Sequence, residues 1–227
     1  MKKHTSCDMQ SCLMCQLALK EWKPAIDAHK KNFKAKKGEQ IITEGEPVHG
    51  VYFVTSGNVK VHKKWGDKEL ILRFANQGKI FGHRGLGSKS SVYPISATAL
   101  EETTICFIDL EFFMATLKVN HDLAFNLMMF YADELQESEK RMRNLALMSV
   151  KSRLAVALLN LKAQFGVDVN GSIDVDMSRQ DLAAYSGATY ETVFRTMNDI
   201  MQENLITLNG KRICIVNEEG LTHLTSE

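Results

Sequence analysis

Between Gly38 and about Ile108 the chain alternates apolar and polar positions in short runs broken by turn residues: QII, the turn GEPVHG, VYFV, TSG, NVKVHK, WGDK, ELILRF, NQG and KIFG. A period of two marks strands with one buried face, and turns at hairpin spacing mark their reversals. The stretch therefore predicts a small antiparallel barrel or double-sheet roll. From about Glu111 to Met148 the period changes. No glycine or proline interrupts this stretch, and Met128, Leu135 and Met142 recur every seven residues, with Phe125, Ala132 and Leu145 near the same stripe. That repeat predicts a long helix with an apolar seam suited to a second copy of itself, although a helix lying on its own roll would use the same stripe. The run ELQESEKRMR within it reads as a solvated face.

After Ser149 the apolar helix KSRLAVALLNLKAQF is ended by Gly166. Ser178 followed by Asp181 forms a capping-box-like start to a short helix, about Arg179 to Tyr185. Ser186-Gly187-Ala188 supplies a tight turn, and Thr189 caps a second helix running to about Glu203. Two helices around so short a turn predict a helix-turn-helix. LITL-NG-KRICIV then predicts a hairpin with Asn209-Gly210 at its turn, which makes the unit a winged helix. The predicted fold class is α+β: a polar arm (1–19), an antiparallel β-roll (20–117), a dimerisation helix (118–148) and a winged helix-turn-helix (149–227).

A helix-turn-helix inserts the first residues of its second helix into the major groove of double-stranded DNA. Those residues are Thr189, Tyr190, Glu191, Phe194 and Arg195. Arginine can donate two hydrogen bonds to guanine O6 and N7, and glutamate can accept one from the cytosine amino group. Glu191 and Arg195, four apart, share a helix face, where they could equally form a surface ion pair. Arg179, Lys211 and Arg212 are candidates for phosphate contacts. Charge pulls the other way, because residues 150–227 hold seven Lys and Arg against ten Asp and Glu. A DNA-binding domain is usually basic, so the positive face is expected to be local and completed by dimerisation.

The remaining composition narrows the function class. No stretch of the 227 residues approaches the ~18 apolar residues of a membrane span, and polar residues follow the Lys-Lys start, so a cytoplasmic protein without a membrane partner is expected. There is no P-loop, dinucleotide fingerprint, HExxH or G-x-S-x-G, which argues against an enzyme. Three of the five cysteines, Cys7, Cys12 and Cys15, fall in the first fifteen residues as C-x4-C-x2-C, on an arm with no evident core of its own. In a reducing compartment clustered thiols point to metal binding or redox chemistry. Cys106 and Cys214, each in an apolar strand, also read as small buried hydrophobes.

This order of parts resembles the family of the cyclic-AMP receptor protein and the fumarate-nitrate reduction regulator, homodimeric bacterial transcription factors. The resemblance runs from about Gly38 to Val216 and is strongest in R-x-[DE]-[IL]…G-x-[TS]-x-E-T-[VI]-x-R, Arg179 to Arg195, and in GE…V-x-F-V-x-S-G-x-V-K, Gly45 to Lys60. It implies a palindromic DNA site, contacts to RNA polymerase, and Glu191 and Arg195 as readers of the half-site core. Phe194 stands where small residues are usual. Cyclic-nucleotide binders carry G-E-[LI] and a following Arg-Ser pair; here His83 replaces the glutamate and Tyr93-Pro94 the Arg-Ser, which argues against cyclic AMP. Arg84 is the residue that could substitute. The other branch holds a four-iron, four-sulfur cluster on three arm cysteines and one roll cysteine, which by resemblance are Cys7, Cys12, Cys15 and Cys106. The order of the two gaps is reversed relative to that branch. Thiolates also suit zinc or a disulfide-forming sensor, and a member that is constitutive or gated by haem or another small ligand remains open, with His49, His62 and His83 in the roll.

Overall fold

The computed structural model describes residues 12–87 and 91–226; Cys7 lies outside the described residues. The chain packs as two compact units, one reaching Asp67 and resuming over Ile71–Glu134, the other holding Lys68–Leu70 and the chain from Leu135 onward.

The first unit is the expected antiparallel roll. Its strands are β1 (Lys31–Ala35), β2 (Gln40–Ile42), β3 (Gly50–Ser56), β4 (Val59–Trp65), β5 (Lys68–Ala75), β6 (Ile80–Phe81), β7 (Ser96–Ala99) and β8 (Thr103–Asp109). They form two four-stranded sheets in the orders β1-β8-β3-β6 and β2-β7-β4-β5. Inward positions of both sheets, among them Val54, Val61, Phe81, Ala97 and Ile105, share one buried cluster, so the sheets are held by the apolar face that strand alternation creates.

The arm departs from expectation. Cys12 precedes a short helix α1 (Leu13–Leu17), and α2 (Lys23–His29) follows. Met14 and Cys15 are buried, so this segment is packed rather than a free polar arm. The reason is non-local: it contributes to a core with Phe53, Ile108, Phe112 and Phe113. Polar ties reinforce this, since Trp22 Nε1 donates to Thr116 Oγ1 at 3.0 Å and the Leu19 amide donates to Asn120 Oδ1 at 2.7 Å.

Those ties also bear on a second difference. The helical stretch expected from about Glu111 divides into α3 (Leu110–Val119), capped by Asp109, and α4 (His121–Leu147). Asn120 between them is buried and non-helical, its side-chain amide donating to Thr116 O while its oxygen takes the Leu19 amide. Along α4, Phe125, Met128, Leu135 and Met142 are exposed, while Leu123 and Leu127 are buried in the first unit's core.

The second unit contains α5 (Val150–Phe165), α6 (Arg179–Ser186), α7 (Tyr190–Gln202), β9 (Ile206–Asn209), β10 (Arg212–Ile215) and α8 (Glu218–His223). Helix α5 packs against α6, α7 and α8. Leu154, Leu158, Leu182, Val193, Ile200 and Leu221 supply its buried interior. Among the described residues no helix is long and apolar enough to cross a membrane.

Candidate nucleic-acid interface and sensor site

The two helices of the turn motif are set by local chemistry. Ser178 accepts the Asp181 amide and the Asp181 carboxylate returns to the Ser178 amide, a full capping box at α6. Such a cap contributes about 0.5–2 kcal/mol. Helix α6 ends at Gly187, whose φ of 66° and ψ of 41° lie in the left-handed region, and Thr189 caps α7 by accepting the Thr192 amide. A Cβ on Gly187 would sit 2.3 Å from Leu145 Cδ2, so the turn lies directly under that side chain. Leu145 is therefore half-buried within the second unit rather than fully on the exposed α4 stripe.

Helix α7 is strongly two-faced. Val193, Thr196, Met197 and Ile200 are buried, whereas Thr189, Tyr190, Glu191, Phe194 and Arg195 are exposed. The five residues expected at DNA thus share one end and one side of the helix. Glu191 and Arg195 form no ion pair with each other, which leaves both for other partners. The rings of Tyr190 and Phe194 stack with centroids 6.3 Å apart and 19° between planes. Half-buried Arg179, at the start of α6, has its pKa lowered by burial, with Tyr190 acting in the opposite direction.

The wing forms as a hairpin, but one residue out of the expected register. Asn209 pairs with Arg212, so the loop is Gly210-Lys211, with φ of 59° at Gly210, where a left-handed first turn residue demands glycine. Lys211 is exposed at the tip. Arg212, expected at a phosphate, is instead held by two carboxylates, Asp168 Oδ2 and Asp174 Oδ1, each at 2.8 Å. Asp168 also accepts the Ser172 and Asn170 amides; these bonds, the Ser172 amide foremost, and Arg212 hold its carboxyl below the usual range. Both contacts run through Nη1, so Arg212 ties the wing to the turn that carries Asp168 and Asp174. Cys214 is half-buried, its Sγ 3.1 Å from Ser172 Oγ, as befits a structural residue.

In the first unit, Cys12, Cys15 and Cys106 are all buried and belong to one core cluster, together with Met14, Ile26 and Phe113 and with Leu123 and Leu127 of α4. Cys106 lies on β8 opposite Phe53 of β3 and Asn32 of β1. The type and burial of these thiols suit a soft, thiolate-bound metal group. Among the described residues, however, no three His, Cys, Asp or Glu side chains converge as a metal site.

The turn after β6 carries a charge cluster that sequence reading did not assemble. His83 is 1 % exposed and neither ring nitrogen makes a hydrogen bond. Burial lowers its pKa well below the usual imidazole value, and Arg73 and Arg84 lower it further. One carboxylate oxygen, Glu134 Oε2, serves Arg84 Nη2 at 2.7 Å and Arg73 Nε at 3.5 Å, and lies 3.9 Å from His83 Nε2. Tyr131 donates its hydroxyl to His83 O at 2.5 Å, and its own pKa is pushed up to about 12 by burial. Arg73 lies 5.9 Å from the Phe130 ring centroid, and its Nη2 donates to Ile80 O. An arginine within the apolar run ELILRF was the available signal; Glu134 gave none. Tyr93, standing where a phosphate-binding arginine would be, is buried with its hydroxyl donating to Gly50 O at 2.8 Å and accepting the His49 and Gly50 amides at 3.2 Å. His62 bonds Thr98 Oγ1 at 2.9 Å.

Residues 32–120 match the family model of the cyclic nucleotide-binding domain, and residues 152–224 that of the Crp-like helix-turn-helix domain. The chain is 29 % identical over 217 residues to the transcriptional activator protein FnrA of Stutzerimonas stutzeri, covering 94 % of this chain and 88 % of that one. It is 31 % identical over 180 residues to the cAMP-activated global transcriptional regulator CRP of Salmonella typhimurium, covering 77 % and 84 %. Among solved structures, FixK2 from Bradyrhizobium japonicum superposes with a TM-score of 0.76 at 27 % identity, covering 86 % of this chain and 96 % of that one. Roll, long helix and capped helix-turn-helix thus occur in the order these relatives share, and the chain belongs to the CRP/FNR family of DNA-binding transcription regulators, not to a family of enzymes.

Proposed function

We propose that the protein is an oxygen-, nitric oxide- or redox-responsive regulator that binds a palindromic DNA site as a homodimer and holds a four-iron, four-sulfur cluster on Cys7, Cys12, Cys15 and Cys106. The observation that carries this reading is the co-burial of Cys12, Cys15 and Cys106 in the core on which Leu123 and Leu127 seat the start of α4. Such a group would supply an oxidant-labile cross-link between the N-terminal segment and β8. The protein's own residues do the rest. Met14, Phe112 and Phe113 exclude water from the thiols. Phe125, Met128, Ala132, Leu135 and Met142 offer α4's stripe to a second copy, and Leu145 joins the end of that stripe to the helix-turn-helix through Gly187. Any repacking around Leu123 and Leu127 biases how the stripe is presented, a population shift between dimer states.

On DNA, Glu191 and Arg195 read base edges while Thr189 and Lys211 position the backbone, with Arg179 buttressing Tyr190. The Crp-like helix-turn-helix supports the DNA part of this reading and similarity to the transcriptional activator FnrA its activator part, and RNA polymerase is the partner implied by family resemblance. His83 and Tyr93 speak against cyclic AMP as the input, because neither offers a cyclic phosphate a charged partner. The test is iron and acid-labile sulfide content of protein purified without oxygen. About four of each per chain supports the reading. Stoichiometric zinc, or thiols alone, would replace it with a zinc or disulfide sensor.

A further inference from the structure

We infer that Tyr190 and Phe194 form an aromatic platform that reads the 5-methyl groups of thymine, so that thymine-bearing half-sites are selected by apolar contact. This rests on the placement of α7 in the major groove. The two rings are exposed, lie one helical turn apart and stack with 19° between planes, so each limits the rotamer freedom of the other. They are not needed to hold the helix down, because Val193, Met197 and Ile200 already bury its inner face. Their neighbours on the outer face, Thr189, Glu191 and Arg195, are polar.

Charge makes the apolar surface matter more. With seven Lys and Arg against ten Asp and Glu over residues 150–227, and Arg212 committed to Asp168 and Asp174, counterion release offers this unit little affinity. Desolvation of apolar surface is then a substantial source of binding free energy at the groove. The thymine methyl is the one apolar group that the major-groove edges of the bases present, and it distinguishes T·A from every pair lacking it. Arg195, adjacent in sequence to Phe194, reads a neighbouring base pair by hydrogen bonds, so the two chemistries work side by side.

The test begins by selecting duplexes from a random pool with the full-length protein prepared without oxygen. Each thymine of the selected half-site is then replaced singly by deoxyuridine, which removes only the methyl group. At one or two positions per half-site the substitution should weaken wild-type binding about four-fold per methyl, the size expected for one buried carbon. Phe194→Ala should bind the thymine and deoxyuridine duplexes alike while keeping its guanine preference, and Phe194→Leu should retain part of the difference. Deoxyuridine tolerated at every position, or a penalty that persists in Phe194→Ala, would overturn the inference while leaving DNA binding intact. Failure to select any duplex would overturn the groove placement and this inference with it.

Discussion

Replacing Gly187 by alanine probes how α4 is joined to the DNA-binding helices. At φ of 66° and ψ of 41° a residue with a Cβ costs about 1–2 kcal/mol. The new Cβ would lie 2.3 Å from Leu145 Cδ2, and rotating that leucine away from its preferred rotamer costs a further ~0.5–1.5 kcal/mol. Alanine also narrows the unfolded ensemble, returning about 0.4–1 kcal/mol. The net loss should be about 0.5–3 kcal/mol. Because the chain has two units, hydrogen exchange of the α6 and α7 amides is the suitable assay, reporting this unit separately. In a Leu145→Ala background the steric part vanishes, and the cost of Gly187→Ala should fall by about 1 kcal/mol. Equal costs in the two backgrounds would show that Leu145 does not rest on the turn and would break the proposed link.

Three further changes test separate parts of the structure. Leu135→Glu, at an exposed position on the α4 stripe, should place two like charges across the dimer axis and reduce dimer and specific DNA affinity together; unchanged sedimentation would exclude the seam. His83 faces Arg73, Arg84 and Glu134, and its lowered pKa keeps it neutral when folded. Below about pH 6.5 the unfolded chain takes up a proton that the folded one refuses, so stability falls with pH by up to about 1.4 kcal/mol per unit. His83→Gln should lose about 1 kcal/mol less than wild type between pH 7 and pH 5.5, and equal losses in denaturant unfolding would contradict the assignment. In the wing, Lys211→Ala should flatten the salt dependence of DNA binding by about one phosphate contact. Arg212→Ala should instead speed hydrogen exchange in β9 and β10 with the salt slope unchanged, because its partners are Asp168 and Asp174.

Features legible in the sequence are those whose physics is local. Ser178 with Asp181, Thr189, and Gly187 between two apolar-faced helices specify caps and a turn within a few residues, and the structure shows each of them. Strand alternation likewise revealed the roll. Where partners are distant, the reading stopped short. Arg212 meets Asp168 and Asp174 some 40 residues away, and Glu134 meets Arg73 and Arg84 only once α4 lies on the roll. Burial of Cys12 and Cys15 depends on a core assembled from β3, β8, α3 and α4, which no pattern in a polar fifteen-residue start can announce. The wing turn was missed by one residue because Asn209 and Gly210 both suit such turns, and the β9–β10 register decides between them.

The central claim, that thiols buried under α4 govern DNA binding, is tested most directly by Cys106→Ser, with Cys214→Ser as the control. Both variants and the wild type are purified without oxygen, and affinity for the selected DNA site is measured before and after exposure to air. Wild type and Cys214→Ser should bind tightly, then weaken in air as iron is lost, while Cys106→Ser should lack iron and bind weakly under both conditions. Iron content and oxygen-dependent DNA binding retained in Cys106→Ser would contradict a sensor built on the roll.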